Sequence, residues 1–262
     1  MELNLKGLSA LITGGSKGIG YSIAEGLARE GVNLILVARN SDDLEDAKNY
    51  LQHHYAITVT TIAADLTNSQ AIAKLVEVVG DIDILINNAG AIPAGDLEAV
   101  DEGLWRTAWD LKVFGYINMT RAFFAVMKNR EKNGVIINIT GLSGIKLDAN
   151  YIAGSSGNAC LETFTRTAGA YSMEHRVRIL AVSPGAVKTA RIATLLKHKA
   201  KKELGDANLW ENYLTNLPLH RAATSEEVAN LVVFLSSDKA SYISGVVYHV
   251  DGGHNARGSS FA

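Results

Sequence analysis

Cysteine, proline and long apolar runs are scarce in this chain of 262 residues. Cys160 is the single cysteine, so no internal disulfide can form; this fits a reducing compartment, and we expect a cytoplasmic protein. No apolar run approaches the ~20 residues that a membrane helix needs, and we expect no membrane partner. The formal net charge is −2, which gives no reason to expect a nucleic-acid partner. No Cys/His cluster has metal-ligand spacing, so no metal site is predicted.

Short apolar runs alternate with longer amphipathic stretches along the chain. The runs are rich in Val, Ile and Leu and are typical of strands buried on both faces; they lie at 9–12, 33–37, 58–63, 82–86, 135–139, 177–182 and 246–250. Helical patterns lie between them, at 18–30, 41–54, 68–79, 103–130, 150–173 and 225–237. This alternation predicts a doubly wound, seven-stranded parallel sheet, a Rossmann-like α/β fold, in a single domain over 1–262. We interpret 189–216 as an irregular insertion that forms a substrate lid.

A glycine-rich turn follows the first predicted strand and opens the first predicted helix. It reads Thr-Gly-Gly-Ser-Lys-Gly-Ile-Gly over residues 13–20. Gly14 permits a sharp turn, Gly18 a close approach of the backbone to a pyrophosphate, and Gly20 close packing of helix and strand. The helix N-terminus then offers free N–H groups to phosphates. The position between strand and helix favours a dinucleotide site over an ordinary turn.

The residues after the second predicted strand bear on the choice of dinucleotide. An NAD site would place an acidic residue near here for the ribose 2′-hydroxyl, but the strand ends at Val37, Ala38 and Arg39. Arg39 would pair with a 2′-phosphate, and Lys17 in the glycine turn would add a second charge. We therefore predict NADP, with NAD as the less favoured cofactor; the alternative is that both are merely exposed cations.

Further motifs make the chain resemble the short-chain dehydrogenase/reductase family. Beside the turn at 13–20, they are Asp65-Leu66, Asn87-Asn88-Ala89-Gly90, Pro184-Gly185, Val187-Lys188-Thr189, Pro218-Leu219 with Arg221, Ser225 to Ala229, and Val250-Asp251-Gly252-Gly253. The resemblance spans nearly the full length and implies an NAD(P)-dependent enzyme. Members are commonly dimers or tetramers built on two long helices, so we expect a homotetramer or homodimer built on 103–130 and 150–173.

The resemblance also implies which residues contact the cofactor. They are Ser16 and Ile19 at the pyrophosphate; Asp65 and Leu66 at the adenine; Asn88, Ala89 and Gly90 at the ribose next to the nicotinamide; and Pro184, Gly185, Val187 and Thr189 at the nicotinamide amide.

The family's catalytic Asn, Ser, Tyr and Lys are altered in this chain. By the neighbouring motifs, the Asn position falls on Lys112 and the Ser position on Gly141. Matching Tyr151 to the family's Tyr requires compensating gaps and puts Ser155 at the Lys position. A gapless alignment instead puts Gly154 and Asn158 at the Tyr and Lys positions. We favour the gapless version, because three residues inserted into a helix would rotate its buried face by about 60°.

A substitute proton relay is available nearby. Tyr151 lies one turn before the family's Tyr position, and its phenol needs a nearby cation to act at neutral pH, which Lys112 could supply. Ser143 adds a hydroxyl, and Asn158 could bind the nicotinamide ribose. The alternative is that Tyr151 packs at the helix start and Lys112 pairs with an acid such as Asp110 or Asp148.

Three functions remain open on this reasoning. The first is an NADP-dependent oxidoreductase of a carbonyl/alcohol pair with a rearranged proton relay. The second is a dinucleotide-binding sensor or partner subunit without turnover, and the third is a lyase or isomerase on the same fold. The substrate is a small molecule in the first and third. Apolar residues of the segment 189–216 hint at an apolar substrate, or pack within the lid; they are Leu195, Leu196, Leu209, Trp210 and Tyr213.

Overall fold

The computed structural model describes residues 1–257, except the side chains of residues 191, 198 and 202. Residues 258–262, the end of the predicted domain, lie outside the described part of the chain. The strands are β1 Ser9–Thr13, β2 Asn33–Ala38, β3 Val59–Ala63, β4 Ile84–Asn87, β5 Gly134–Ile139, β6 Val177–Pro184 and β7 Val247–Val250. They form one parallel sheet of seven strands in the order β3-β2-β1-β4-β5-β6-β7. The predicted doubly wound, Rossmann-like fold is confirmed.

Helices cover both faces of this sheet. They are α1 Gly18–Arg29, α2 Ser41–His54, α3 Ser69–Val79, α4 Glu102–Trp109, α5 Gly115–Met127, α6 Ile152–Ser172, α7 Ala190–Leu204 and α8 Ser225–Ser236. The helices α1, α2 and α8 pack on one face, where Leu27 and Leu36 are fully buried. The helices α3, α5 and α6 pack on the other, where Phe123 and Ile136 are fully buried. Two apolar cores therefore hold the sheet from both sides, as burial of apolar surface favours.

The strand order creates a crevice at the carboxyl edge of the sheet. β1 and β4 are neighbours although β2 and β3 lie between them in the chain, so the winding reverses direction at this pair. In doubly wound sheets, ligands bind outside the carboxyl ends of the strands at such a switch point. The glycine turn follows β1, and Asn88 to Gly90 follow β4. The two motifs therefore meet at the point where a dinucleotide is expected.

The long helix predicted over 103–130 is interrupted. α4 is followed by a π-helix, Asp110–Phe114, and only then by α5, which ends at Met127. A π-turn has an i→i+5 hydrogen bond and is frequent at functional sites. The π-helix of this protein contains Lys112, whose side chain is buried. The other long helix, predicted over 150–173, begins at Ile152.

The interpretation of 189–216 as irregular is wrong. Most of it is α7 and a 3₁₀ segment, Ala207–Leu214, that packs against α7. Thr189 begins α7 by accepting the N–H of Ile192 at 3.3 Å. Gly205, in the left-handed conformation with φ of 78°, ends it. Both capping residues are present in the sequence, at the two ends of this helix.

Two further findings concern residues 1–257 as a whole. No helix among them combines the length and the apolar character that a membrane crossing requires. No group of three or more His, Cys, Asp or Glu side chains in the same range is arranged to hold a metal ion.

Candidate active site

The glycine turn is tied to the end of β4 by hydrogen bonds. The Thr13 hydroxyl accepts the backbone N–H groups of Asn88 and Ala89, at 2.8 and 3.0 Å. The Asn88 amide donates to the carbonyl oxygens of Thr13 and Gly14, at 3.0 and 3.2 Å. A Cβ atom on Gly20 would overlap the Gly14 carbonyl and lie 2.5 Å from Nδ2 of Asn88. Glycine at position 20 therefore lets α1 begin directly against the turn, as the sequence predicted.

The N-terminus of α1 is open toward the crevice. Lys17 occupies its N-cap position, and the side chain of Lys17 makes no capping hydrogen bond. The first-turn N–H groups and the positive end of the helix dipole are therefore suited to an anion. Ser16 and Ile19 are half-buried beside them, and Gly18 is exposed. The methyl group of Thr189 would lie 3.6 Å from a Cβ on Gly18, so the N-terminal end of α7 borders the glycine turn. This cradle fits the diphosphate of a dinucleotide.

The two cations predicted to select a 2′-phosphate differ in their surroundings. Arg39 follows β2 and is exposed. Lys17 forms a salt bridge with Asp43 in the first turn of α2, with 2.7 Å between Nζ and Oδ2. A phosphate bound at Lys17 would have to compete with this ion pair, which the sequence reasoning did not foresee.

The loops after β3 and β6 form the two ends of the crevice. The exposed carboxylate of Asp65 accepts the N–H and hydroxyl of Thr67, at 3.1 and 2.9 Å, while Leu66 is buried. After β6, Gly185 donates its N–H to the carbonyl of Val250 at 3.0 Å. In the same loop, Val187 is buried in a short parallel bridge to Ala223, and Thr189 caps α7. The loop after β3 is therefore held by hydrogen bonds within itself, and the loop after β6 is held by backbone pairing with Val250 and Ala223.

Lys112 is buried between the end of β5 and the loop after β4. Its Nζ donates to the Tyr116 hydroxyl at 2.9 Å and to the carbonyl oxygen of Ile139 at 2.6 Å. The Tyr116 hydroxyl in turn donates to the same carbonyl at 3.1 Å. A Cβ on Gly90 would lie 2.7 Å from Cδ of Lys112, so the lysine side chain lies directly against the backbone of Gly90. A buried ammonium group thus lies beside the residues expected to border the nicotinamide ribose.

Asn158 lies in the second turn of α6 and is buried. Its Nδ2 donates to the Ser143 hydroxyl at 3.0 Å. Its Oδ1 is also buried and has no hydrogen-bond partner among the described residues. A Cβ on Gly141 would lie 3.0 Å from Nδ2 of Asn158, so the amide fills space beside Gly141. An amide oxygen without a partner fits a site at which a hydroxyl group of a ribose donates a hydrogen bond to it.

Tyr151 directly precedes α6 and is half-buried. It packs against a small apolar cluster that includes Ile92 and Ala153. Its backbone pairs with Gly95 in an isolated parallel bridge. The loop after β4 and the start of α6 are thereby joined, and the phenol is held at this junction.

Known proteins match the chain over nearly its whole length. The family model described as enoyl-(acyl carrier protein) reductase matches residues 14–255. The 3-oxoacyl-[acyl-carrier-protein] reductase FabG of Aquifex aeolicus is 30% identical over 257 residues, which cover 97% of this chain and 99% of that protein. This chain belongs to the short-chain dehydrogenase/reductase family.

Other relatives of this short-chain dehydrogenase/reductase act on sugars and polyols, according to their names. Galactitol 2-dehydrogenase (L-tagatose-forming) of Cereibacter sphaeroides is 32% identical over 255 residues, 95% of this chain and 96% of that protein. L-Sorbose reductase of Gluconobacter frateurii, solved with NADPH and L-sorbose, has a TM-score of 0.90 at 31% identity and covers 98% of this chain and 100% of that chain. The protein is an NAD(P)-dependent oxidoreductase of this family.

Two features of this short-chain dehydrogenase/reductase were missed by sequence reasoning. One is Tyr116, which lies four residues after Lys112 and could have been found by that spacing. The other is a buried polar network behind the site. In it, the Asn87 amide donates to Thr120 and Asn138, at 3.1 and 2.9 Å, and the Asn138 amide donates to Thr165 at 3.0 Å. This network joins β4 and β5 to α5 and α6, the elements that carry the site.

Proposed function

We propose that the protein is an NADP-dependent oxidoreductase of a carbonyl/alcohol pair that uses a rearranged proton relay of Lys112, Tyr151 and Ser143. One observation carries the proposal. The ammonium group of Lys112 is buried beside Gly90 and donates hydrogen bonds to the Tyr116 hydroxyl and the Ile139 carbonyl oxygen. Burying a cation costs free energy, and such groups concentrate at functional sites. Here it lies at the switch point of the sheet, where the family binds its cofactor.

The glycine turn and the surrounding loops would hold the dinucleotide. The residues are those predicted from the sequence: Gly14, Ser16, Lys17, Gly18, Ile19 and Gly20 at the diphosphate; Arg39 with Lys17 at the 2′-phosphate; Asp65 and Leu66 at the adenine; Asn88, Ala89, Gly90 and Asn158 at the second ribose; and Pro184, Gly185, Val187 and Thr189 at the nicotinamide. The cofactor supplies or accepts the hydride.

The side chains around the site would handle the proton. Tyr151 would donate a proton to the substrate oxygen during reduction. The positive charge of Lys112 would stabilise the phenolate that remains. Ser143 accepts the hydrogen bond from Asn158, so its own O–H is directed elsewhere and would polarise the substrate carbonyl.

The substrate is proposed to enter beneath the segment 189–216, which would act as a lid. In this segment Trp210 and Tyr213 are half-buried against α7, and the Tyr213 hydroxyl donates to Glu203 at 2.7 Å. Leu195 and Leu209 remain exposed. The lid would therefore offer some apolar surface, which supports an apolar small-molecule substrate. The sugar-directed relatives make a polyhydroxy ketone the alternative.

Assembly into a homodimer or homotetramer is proposed through the outer faces of α4, α5 and α6. Phe114, in the π-helix, and Tyr171, in α6, are 50% and 60% exposed. Such large apolar groups are typical of surfaces that associate. Light scattering on the purified protein would test this, and a monomer at micromolar concentration would contradict it.

The test of function is NADPH oxidation with a panel of ketones, aldehydes, quinones and ketoses. We expect turnover with at least one hydrophobic ketone or one ketose, and an NADP-dependent back reaction with the matching alcohol. Binding of NADPH without turnover across the whole panel would contradict an oxidoreductase. Calorimetric titration of NADPH in the same buffer separates that outcome from a failure to bind the cofactor.

A further inference from the structure

A buried carboxyl group, which the proposed chemistry does not use, lies behind the site. Glu162 lies in α6 and is 1% exposed. Its Oε1 accepts the hydroxyl of Ser183 at 3.1 Å. Burial raises the pKa of this carboxyl, while the hydroxyl of Ser183 and the charges of His249 and Arg166 oppose the rise. Burying such a group costs free energy, and an apolar side chain of similar volume would often be at least as stabilising.

The carboxyl group touches two loops of the proposed cofactor and substrate site. Ser183 directly precedes Pro184 and Gly185, the residues expected at the nicotinamide amide. Thr140, which begins the loop of Gly141 and Ser143, also helps to hold down the pKa of Glu162, although its hydroxyl donates to the carbonyl oxygen of Val182 at 3.5 Å. A Cβ on Gly144 in that loop would lie only 3.0 Å from Oε1 of Glu162. One carboxyl group thus joins the ends of β5 and β6 from the middle of α6.

The remaining neighbours complete a small polar cluster. His249 of β7 is the register partner of Ser183 in the sheet. Arg166 lies one turn further along α6, with 3.9 Å between its Nη2 and Oε2 of Glu162, and is half exposed. Asn158, with its buried unsatisfied Oδ1, lies one turn earlier in α6. Among the described residues, the titratable side chains that act on the charge of Glu162 are therefore His249 and Arg166.

We propose that Glu162 is a positioning residue that fixes the nicotinamide half of the dinucleotide site by holding Ser183 against the loop that contains Gly144. This inference depends on the proposed cofactor function. An ionised carboxylate is a stronger acceptor than a neutral carboxyl, so the contact with Ser183 is tightest when Glu162 is charged. As the pH falls and Glu162 takes up a proton, the loop after β6 is held less firmly. Affinity for the nicotinamide half then falls, while the adenine half is unaffected.

The experiment compares two ligands, NADP⁺ and 2′,5′-ADP, by calorimetry between pH 5.5 and 8.5. Both carry the 2′-phosphate, so the ratio of their affinities isolates the nicotinamide half from titration of that phosphate. We expect Glu162→Gln to weaken NADP⁺ binding by about 3- to 10-fold at pH 8, as loss of one hydrogen bond predicts. Binding of 2′,5′-ADP stays unchanged, and the pH dependence of the ratio seen in the wild type is lost.

Ser183→Ala provides an independent arm. It should reproduce the effect of Glu162→Gln, and the double variant should be no weaker than either single variant, because both changes remove the same contact. Glu174→Gln is the matched control, since Glu174 is an exposed glutamate just after α6. It should leave both affinities and their pH dependence as in the wild type.

Three results would overturn the proposal. They are an equal loss of affinity for both ligands in Glu162→Gln, no loss for either ligand, and an unchanged pH dependence of the ratio. If the wild-type protein binds neither ligand, the proposed function itself fails and the inference fails with it. Should Glu162→Gln not fold, the Ser183→Ala arm and the wild-type pH profile decide the question in the same way.

Discussion

The aromatic ring of Tyr151 lies where the side chain of residue 154 would begin. A Cβ atom on Gly154 would overlap the Cε1 and Cζ atoms of that ring. Residue 154 is the position at which the gapless alignment places the family's catalytic tyrosine. The phenol of Tyr151 thus approaches this place from the preceding turn, and glycine at 154 leaves room for it.

Gly154→Ala is therefore expected to destabilise the protein although alanine favours helices. Overpacking costs about 1–3 kcal/mol, which outweighs the gain of about 1 kcal/mol from helix propensity. Chemical denaturation measures the free energy of unfolding. In a double-mutant cycle, Tyr151→Ala should relieve most of the penalty.

The control for this pair is Gly103→Ala in α4, where the nearest neighbour of an added Cβ is 3.4 Å away. That change should be neutral or stabilising. Equal effects of Gly154→Ala with and without the Tyr151 ring would contradict the packing relationship.

The proposed relay predicts that substitutions in it lower turnover but leave NADPH binding unchanged. Lys112→Met and Tyr151→Phe should each lower kcat by about 10²- to 10⁴-fold, the usual contribution of general acid–base catalysis. Tyr116→Phe should have a smaller effect, because it removes one bond to Lys112 but leaves the bond to Ile139. Steady-state kinetics with NADPH titrations separates kcat from binding.

The matched control is Lys74→Met, which removes an exposed lysine of α3. It should leave kcat unchanged. A wild-type kcat in both Lys112→Met and Tyr151→Phe would rule out the proposed relay, and thermal unfolding of each variant identifies any loss that comes from misfolding.

Cofactor choice should depend on Arg39. Arg39→Ala is expected to weaken NADPH binding by about 10- to 100-fold, since hydrogen bonds to charged groups contribute about 1.5–3 kcal/mol. NADH has no 2′-phosphate, so its affinity should not change. Fluorescence titrations of both nucleotides test this, with Lys74→Ala as a control for lost charge. Equal affinity of the wild type for NADPH and NADH would sink the prediction.

The salt bridge between Lys17 and Asp43 predicts a variant that binds NADPH more tightly. Asp43→Asn releases Lys17, which is 73% exposed, for the 2′-phosphate. An exposed ion pair is worth up to about 1 kcal/mol, so NADPH affinity should rise by at most about fivefold at low salt. The gain should shrink as salt is added. Weaker NADPH binding in this variant would show that Asp43 supports the site instead of competing for Lys17.

Acid stability should depend on Asp83, far from the site. Burial opposes its ionisation, but hydrogen bonds from Lys132 and Ser9 hold the pKa of the Asp83 carboxyl below its usual value. Its stabilisation is therefore present above the ordinary pKa of about 3.9 and is lost as the pH falls through the lower folded value.

Asp83→Asn should cost about 1–3 kcal/mol at pH 7, and the difference from the wild type should shrink toward pH 3. Denaturation across this pH range is the measurement. Asp81→Asn is the control. Asp81 and Asp83 both form ion pairs with Arg130 and Lys132, but Asp81 is 47% exposed. The cost of Asp81→Asn should therefore stay below about 1 kcal/mol. A difference between Asp83→Asn and the wild type that does not vary with pH would contradict the role of the charge.

Much of the fold could be predicted because its signals are local. Apolar runs such as Val135 to Ile139 and the glycine turn after β1 specify strands and a tight turn within a few residues. The π-helix at Asp110–Phe114 was not predictable. Its residue Lys112 contacts Ile139 of β5, which is remote in the sequence. The helix over 190–204 was missed, because the segment 189–216 lies outside the strand–helix alternation on which the predicted helices depended.

The sequence by itself determined the parallel sheet, the family and the place of the cofactor turn, since these follow from periodicity and from motifs of adjacent residues. Only the tertiary structure decided which side chains meet in and behind the crevice. Lys112 meets Ile139, Asn158 meets Ser143, and Glu162 meets Ser183. These partners lie 15 to 27 residues apart in the chain. Such contacts arise from how helices pack on the sheet, which no local pattern encodes.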